Sequence, residues 1–67
     1  MLQISLKAAR TNANMTQEYV AGRMKKSKQT IVNWENGKTI IDAANFAALC
    51  ELYKIDKKYI LLPYQST

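Results

Sequence analysis

The chain contains no histidine and a single cysteine, Cys50, among its 67 residues. Without an imidazole, and with one thiol, it cannot assemble a Ser-His-Asp or Cys-His nucleophile set, nor a zinc site built from cysteine and histidine. A lone cysteine also excludes an internal disulfide, so packing alone must hold the fold, as suits a reducing compartment. The five acidic side chains are scattered and suggest neither a metal cage nor a dedicated acid/base pair. No enzymatic role and no cofactor is therefore expected. One proline, Pro63, and two glycines, Gly22 and Gly37, leave little punctuation for strands, and no stretch alternates apolar and polar residues for long. No apolar run nears the ~20 residues that span a bilayer. The opening Met1-Leu2-Gln3-Ile4-Ser5 lacks the basic head and long apolar stretch of a secretion signal. A cytoplasmic chain with no membrane partner is expected.

Apolar content and positive charge are what the sequence does have. Hydrophobic residues make up 48% of the chain, enough for one small core, and the length implies a single domain, 1–67, near the limit at which one core suffices. The net charge is +5, and it is one-sided. From Met1 to Lys38 seven basic residues stand against two acidic ones, whereas from Thr39 to Thr67 three balance three. Such a field favours an anionic partner.

The remaining signals are helical and closely spaced. Gln3 to Ala13 is rich in helix formers and should close near Asn14, which tolerates a left-handed stop. Thr16 can cap a second helix whose apolar face is Val20, Ala21 and Met24. After a break at Lys25-Lys26-Ser27, Ser27 caps a third helix with Ile31 and Trp34 inward, stopped by Asn36-Gly37. Asp42 caps a fourth, with Phe46, Leu49, Cys50 and Tyr53 inward. Ile55-Asp56 turns into a short fifth helix carrying Ile60 and Leu61, ended by Pro63. Five short helices joined by tight turns predict a compact all-α domain. Cys50 then reads as a small buried apolar residue, and Lys54, Lys57 and Lys58 as solvated surface.

The third helix carries the chemistry. With Ile31 and Trp34 inward, Lys28, Gln29, Thr30, Val32 and Asn33 are left on or near the outside. The major groove of DNA, about 12 Å wide, admits one α-helix. Gln and Asn can each bond adenine N6 and N7, and Lys suits guanine O6 and N7. The opening turn Lys28-Gln29-Thr30, with Asn33 one and a half turns later, is thus equipped to read base edges, at the helix end that projects into the groove.

Two blocks make the pattern recognisable: Met15-Thr16-Gln17-Glu18-Tyr19-Val20-Ala21, and Ser27 through Trp34-Glu35-Asn36-Gly37-Lys38. At this separation they resemble the phage repressor and Cro family, the lambda repressor-like or xenobiotic-response-element-type helix-turn-helix regulators. The resemblance runs from about Leu6 to Leu61, with the helix-turn-helix at about 16–36 and a C-terminal tail at 62–67. It implies that the second helix lies across the DNA backbone while the third enters the major groove. Lys28, Gln29 and Asn33 are then the base readers. Gln17 contacts phosphate or braces a base reader, and Lys26 and Thr30 reach sugar or phosphate. Asn36 and Lys38 grip the backbone, partly through main-chain N–H groups. Arg10 and Glu35 match a partly buried ion pair, of which breaking one side costs roughly 3–5 kcal/mol. Lys25 departs from the family, which has glycine where the turn needs positive φ; lysine there implies strain on the order of 1 kcal/mol. Lys57 stands where an apolar residue is common, so the fifth helix is expected to dock differently.

The implied function is sequence-specific binding to double-stranded DNA, as a repressor of phage or prophage type. A homodimer would read a pseudo-palindrome with half-sites ~34 Å apart, since one module buries only roughly 600–1,000 Å². Tyr59, Leu62, Pro63 and Tyr64 are the candidate dimer contact, and no small-molecule effector domain is foreseen. The competing class is a protein–protein module or antitoxin-like protein on the same fold. The polar, basic outer face of the third helix disfavours it, because a protein-docking face would be more apolar.

Overall fold

In the computed structural model, which describes residues 2–64, each helix begins where a short side chain can take up a free backbone amide. Ser5 accepts from the Ala8 N–H at 3.0 Å and opens α1, Leu6–Asn12. Thr16 accepts from Tyr19 N–H at 3.0 Å and opens α2, Gln17–Met24. Ser27 accepts from Thr30 N–H at 3.2 Å and opens α3, Lys28–Asn36. Asp42 accepts from Asn45 N–H at 2.9 Å and opens α4, Ala43–Tyr53.

The helices also end alike. Asn14, Lys25, Gly37 and Lys54 take φ values of 60°, 57°, 74° and 57°. The next N–H then reaches the carbonyl five residues back: Met15 to Arg10, Lys26 to Ala21, Lys38 to Asn33 and Ile55 to Cys50, at 2.9–3.2 Å. Lys25 thus holds the left-handed backbone expected of a family glycine. Lys54 holds the same conformation, and no sequence signal marked it.

Leu6, Val20, Ile31 and Leu49, one from each helix, are almost completely buried and meet in a single core with Trp34 and Tyr53. Phe46, expected inward, is only half-buried and packs against the rim of that core. Cys50 is buried, and burial pushes its thiol above its ordinary pKa.

Two expectations need correction. The first helix starts at Leu6, because Ser5 is its cap and Gln3 and Ile4 run extended beside the other end of the chain. The fifth helix does not form: among the described residues there are four α-helices and one 3₁₀ turn, Lys57–Tyr59. Asp56 accepts from Lys58 N–H at 3.0 Å and tightens that turn. Ile60 beyond it is extended, at φ −102° and ψ 127°, and makes an isolated parallel bridge with Ile4. Ile4 N–H donates to the Tyr59 carbonyl and Leu61 N–H to the Ile4 carbonyl, both at 2.8 Å. The Leu61 amide that an α-helix would send back to Lys57 is therefore held by the N-terminal segment. The two-residue alternation of extended backbone buries Ile60 and Leu62 and turns Leu61 outward.

Candidate nucleic-acid interface

The candidate surface is built on α3, whose position is fixed from within. Ile31 and Trp34 anchor its inner side against α1 and α2. At its C-terminal end Glu35 is held by three donors. Arg10 Nε donates to Oε2 at 2.7 Å, Arg10 Nη2 to Oε1 at 3.4 Å, and Gln17 Nε2 to Oε1 at 3.0 Å. The Arg10 Nη1 group donates to the Met15 carbonyl at 2.8 Å, on the turn between α1 and α2. The Arg10 and Glu35 side chains are only 9% and 4% exposed, so α1, α2 and α3 are tied at one shielded point. Gln17 accordingly braces this ion pair rather than a base reader; its carbonyl oxygen and second N–H remain at the start of α2.

The outer side of α3 is polar. Lys28 and Gln29 are exposed, and Thr30, Val32 and Asn33 are half-buried. Gln29 Nε2 donates to Asn33 Oδ1 at 2.9 Å across one helical turn. Lys28 Nζ lies 3.3 Å from Glu18 Oε2 on α2, with both side chains more than half exposed. The Glu18 carboxyl is held below its ordinary pKa by a backbone hydrogen bond at the start of α2, and then by Lys28. Thr30 Oγ1 sits 3.0 Å from Ser27 Oγ and belongs to the helix cap.

Around this surface lie Lys25, Lys26, Asn36 and Lys38, all exposed. Lys26 and Lys38 can reach outward only through their side chains. Their main-chain N–H groups bond Ala21 and Asn33 carbonyls, both at 2.9 Å. For Lys38 the left-handed stop of α3 takes up the amide, which leaves its side chain for an outside contact.

The candidate dimer residues separate. Tyr59 and Tyr64 are exposed, whereas Leu62 is 5% exposed and belongs to the core. Leu62 is thereby withdrawn from any contact between copies, because the extended backbone points it inward. Pro63 packs on the end of α3: a Cβ added at Gly37 would lie 3.0 Å from Pro63 Cβ. Of the 62–67 tail, residues 65–67 lie outside the described residues.

No sequence signal pairs Glu18 with Lys28, because no periodicity links residues ten apart across a turn. The closeness of Gly37 to Pro63 likewise has no local signal, whereas its positive φ does.

Among the described residues no helix is long and apolar enough to cross a membrane, and no group of histidine, cysteine and carboxylate side chains gathers as a metal site. Residues 4–66 match the family model of a helix-turn-helix domain. No curated protein and no solved structure matches the chain.

Proposed function

The chain belongs to the helix-turn-helix domain family, and from that premise we propose that it is a sequence-specific double-stranded DNA-binding regulator of the phage repressor and Cro type. It acts in the cytoplasm by occupying promoter DNA as a homodimer on a pseudo-palindromic operator, and it catalyses no reaction. One observation carries this reading: α3 is anchored inward by Ile31 and Trp34 and turns Lys28, Gln29 and Asn33 outward, with Lys26 and Lys38 exposed beside its two ends.

In this reading α3 lies in the major groove with Lys28, Gln29 and Asn33 toward base edges. Lys26, Asn36 and Lys38 meet phosphates, together with the free part of the Gln17 amide at the positive end of α2. Thr30 supports the cap that starts the recognition helix. The Arg10–Glu35 pair, with Gln17 donating to the same carboxylate, ties α1 and α2 to the end of α3 and so helps hold the phosphate-facing and base-facing groups in fixed relation.

Fluorescence anisotropy against a randomised duplex pool, and then against duplexes selected from it, tests the proposal. Binding should weaken linearly in log–log salt with a slope near −0.9 per phosphate contacted. Lys38→Ala should weaken all duplexes about equally and flatten that slope by about one contact. Gln29→Ala should instead cost about 1–3 kcal/mol on the selected duplex and relax one base position. Binding that is absent or indifferent to salt would favour a protein partner for this face.

A further inference from the structure

The hydrogen bond from Gln29 to Asn33 bears on what the recognition helix reads, and the inference from it rests on the base-reading role given above. We propose that Asn33 is a positioning residue: it acts through Gln29, and the two amides form one unit that selects an adenine in the major groove.

The donor and acceptor count leads there. Gln29 Nε2 donates one hydrogen to Asn33 Oδ1 at 2.9 Å. Gln29 keeps its second N–H and its Oε1 acceptor, the one donor and one acceptor that a bidentate contact needs. Adenine offers the complement, an N7 acceptor beside the N6 donor. Guanine offers two acceptors, N7 and O6, so Oε1 would face O6 with no proton between them. The bond to Asn33 fixes which Gln29 edge faces outward.

Order is the second part of the argument. A free glutamine rotates about three side-chain bonds and must be immobilised when it binds, which opposes association. Gln29 is exposed, with Asn33 the partner that holds it, whereas Asn33 is half-buried at the next turn of an anchored helix. The better-anchored side chain thus orders the freer one before DNA arrives. Neighbouring groups do not compete for the amide. Lys28 is paired with Glu18, and Thr30 with Ser27.

The test compares the wild type, Gln29→Ala, Asn33→Ala and the double variant on duplexes selected by the wild type. Each A·T pair of the selected site is replaced in turn by G·C, and circular dichroism checks that each variant is folded. Both single variants should lose preference at the same A·T pair, each by roughly tenfold, the order of one bidentate base contact. The double variant should be no worse than either. Asn33→Asp keeps the acceptor for Gln29: it should bind every duplex more weakly through its charge yet retain the preference for A·T at that pair. Relaxation of different base pairs by the two single variants, with additive losses, would make the residues independent readers and overturn the proposal. So would an Asn33→Ala protein with unchanged preferences. A wild type that enriches no sequence, or a Gln29→Ala protein that relaxes no position, would remove base reading itself.

Discussion

The Arg10–Glu35 pair is where a single residue has the largest leverage. Its geometry is short and multiply bonded, and water is nearly excluded from it. A shielded pair adds little net stability compared with apolar packing, but an abandoned partner is costly. Arg10→Ala leaves the Glu35 carboxylate with Gln17 as its side-chain donor. A loss of roughly 3–5 kcal/mol is expected, comparable with the whole stability of a domain this small. Urea unfolding followed by circular dichroism should show the variant largely unfolded without denaturant; a loss below about 1 kcal/mol would mean water screens the pair, as at exposed pairs. Tyr53 sets an upper pH limit. Burial, and then the nearby Glu35 charge, push its phenol from 10.0 up to about 12. The folded state therefore keeps a proton that the unfolded chain releases above about pH 10, and rising pH favours unfolding. Stability from this group is fully present below pH 10 and is lost between 10 and about 12. Tyr53→Phe should remove that part of the alkaline decline in unfolding midpoints; an identical decline in both proteins would place its cause elsewhere.

At the scale of the helix, the four stops share one backbone geometry with different side chains, and this gives two substitutions of opposite sign. At the end of α2, Lys25 holds φ 57° with a Cβ that this region disfavours. Lys25→Gly should raise stability by about 0.5–1 kcal/mol. At the end of α3, Gly37 holds φ 74°, and an added Cβ would meet Pro63 at 3.0 Å. Gly37→Ala should lower stability by about 1–3 kcal/mol. Thermal melting of both variants checks this; shifts of the same sign would show that helix-stop strain is not what governs these positions. Three of the four starts (Thr16, Ser27 and Asp42) and three of the four stops were legible because caps and left-handed residues act within a few residues of sequence. The start at Ser5 instead depends on Gln3 and Ile4 being drawn into extended pairing with the far end of the chain. The stop at Lys54 was not legible, since lysine has no preference for the left-handed conformation that ends α4 there. The absent fifth helix is a related case. Ile60, Leu61 and Pro63 read as a short helix and its stop, yet the Leu61 N–H goes to the Ile4 carbonyl, more than fifty residues away. A non-local partner outcompeted a weak local preference.

For the molecule as a whole, size and charge set the terms of assembly. The principal extents are 31 × 23 × 19 Å, so two copies touching end to end along the longest one would place their centres close to the ~34 Å of one helical turn of DNA. The exposed Tyr59, Leu61 and Tyr64, at 37–42% exposure, lie on the C-terminal segment and are the apolar and aromatic residues there that the proposed homodimer could use, with Leu61 in place of the buried Leu62. Leu61→Asp should shift sedimentation toward the monomer and weaken binding to a duplex with two half-sites far more than to one half-site. Equal loss on both duplexes would mean that this surface does not join copies.

The order of the helices, most of their caps and the two-sidedness of α3 were determined by the sequence alone. Amide capping, left-handed stops and the 3.6-residue period all act between near neighbours. Tertiary structure alone decided which polar groups remain free to meet a partner. It tied Gln17 to Glu35, set Glu18 beside Lys28, turned Leu62 inward and seated Pro63 on Gly37. These pairings join residues distant in sequence, and packing of the four helices around one core sets them, with no local preference to announce them.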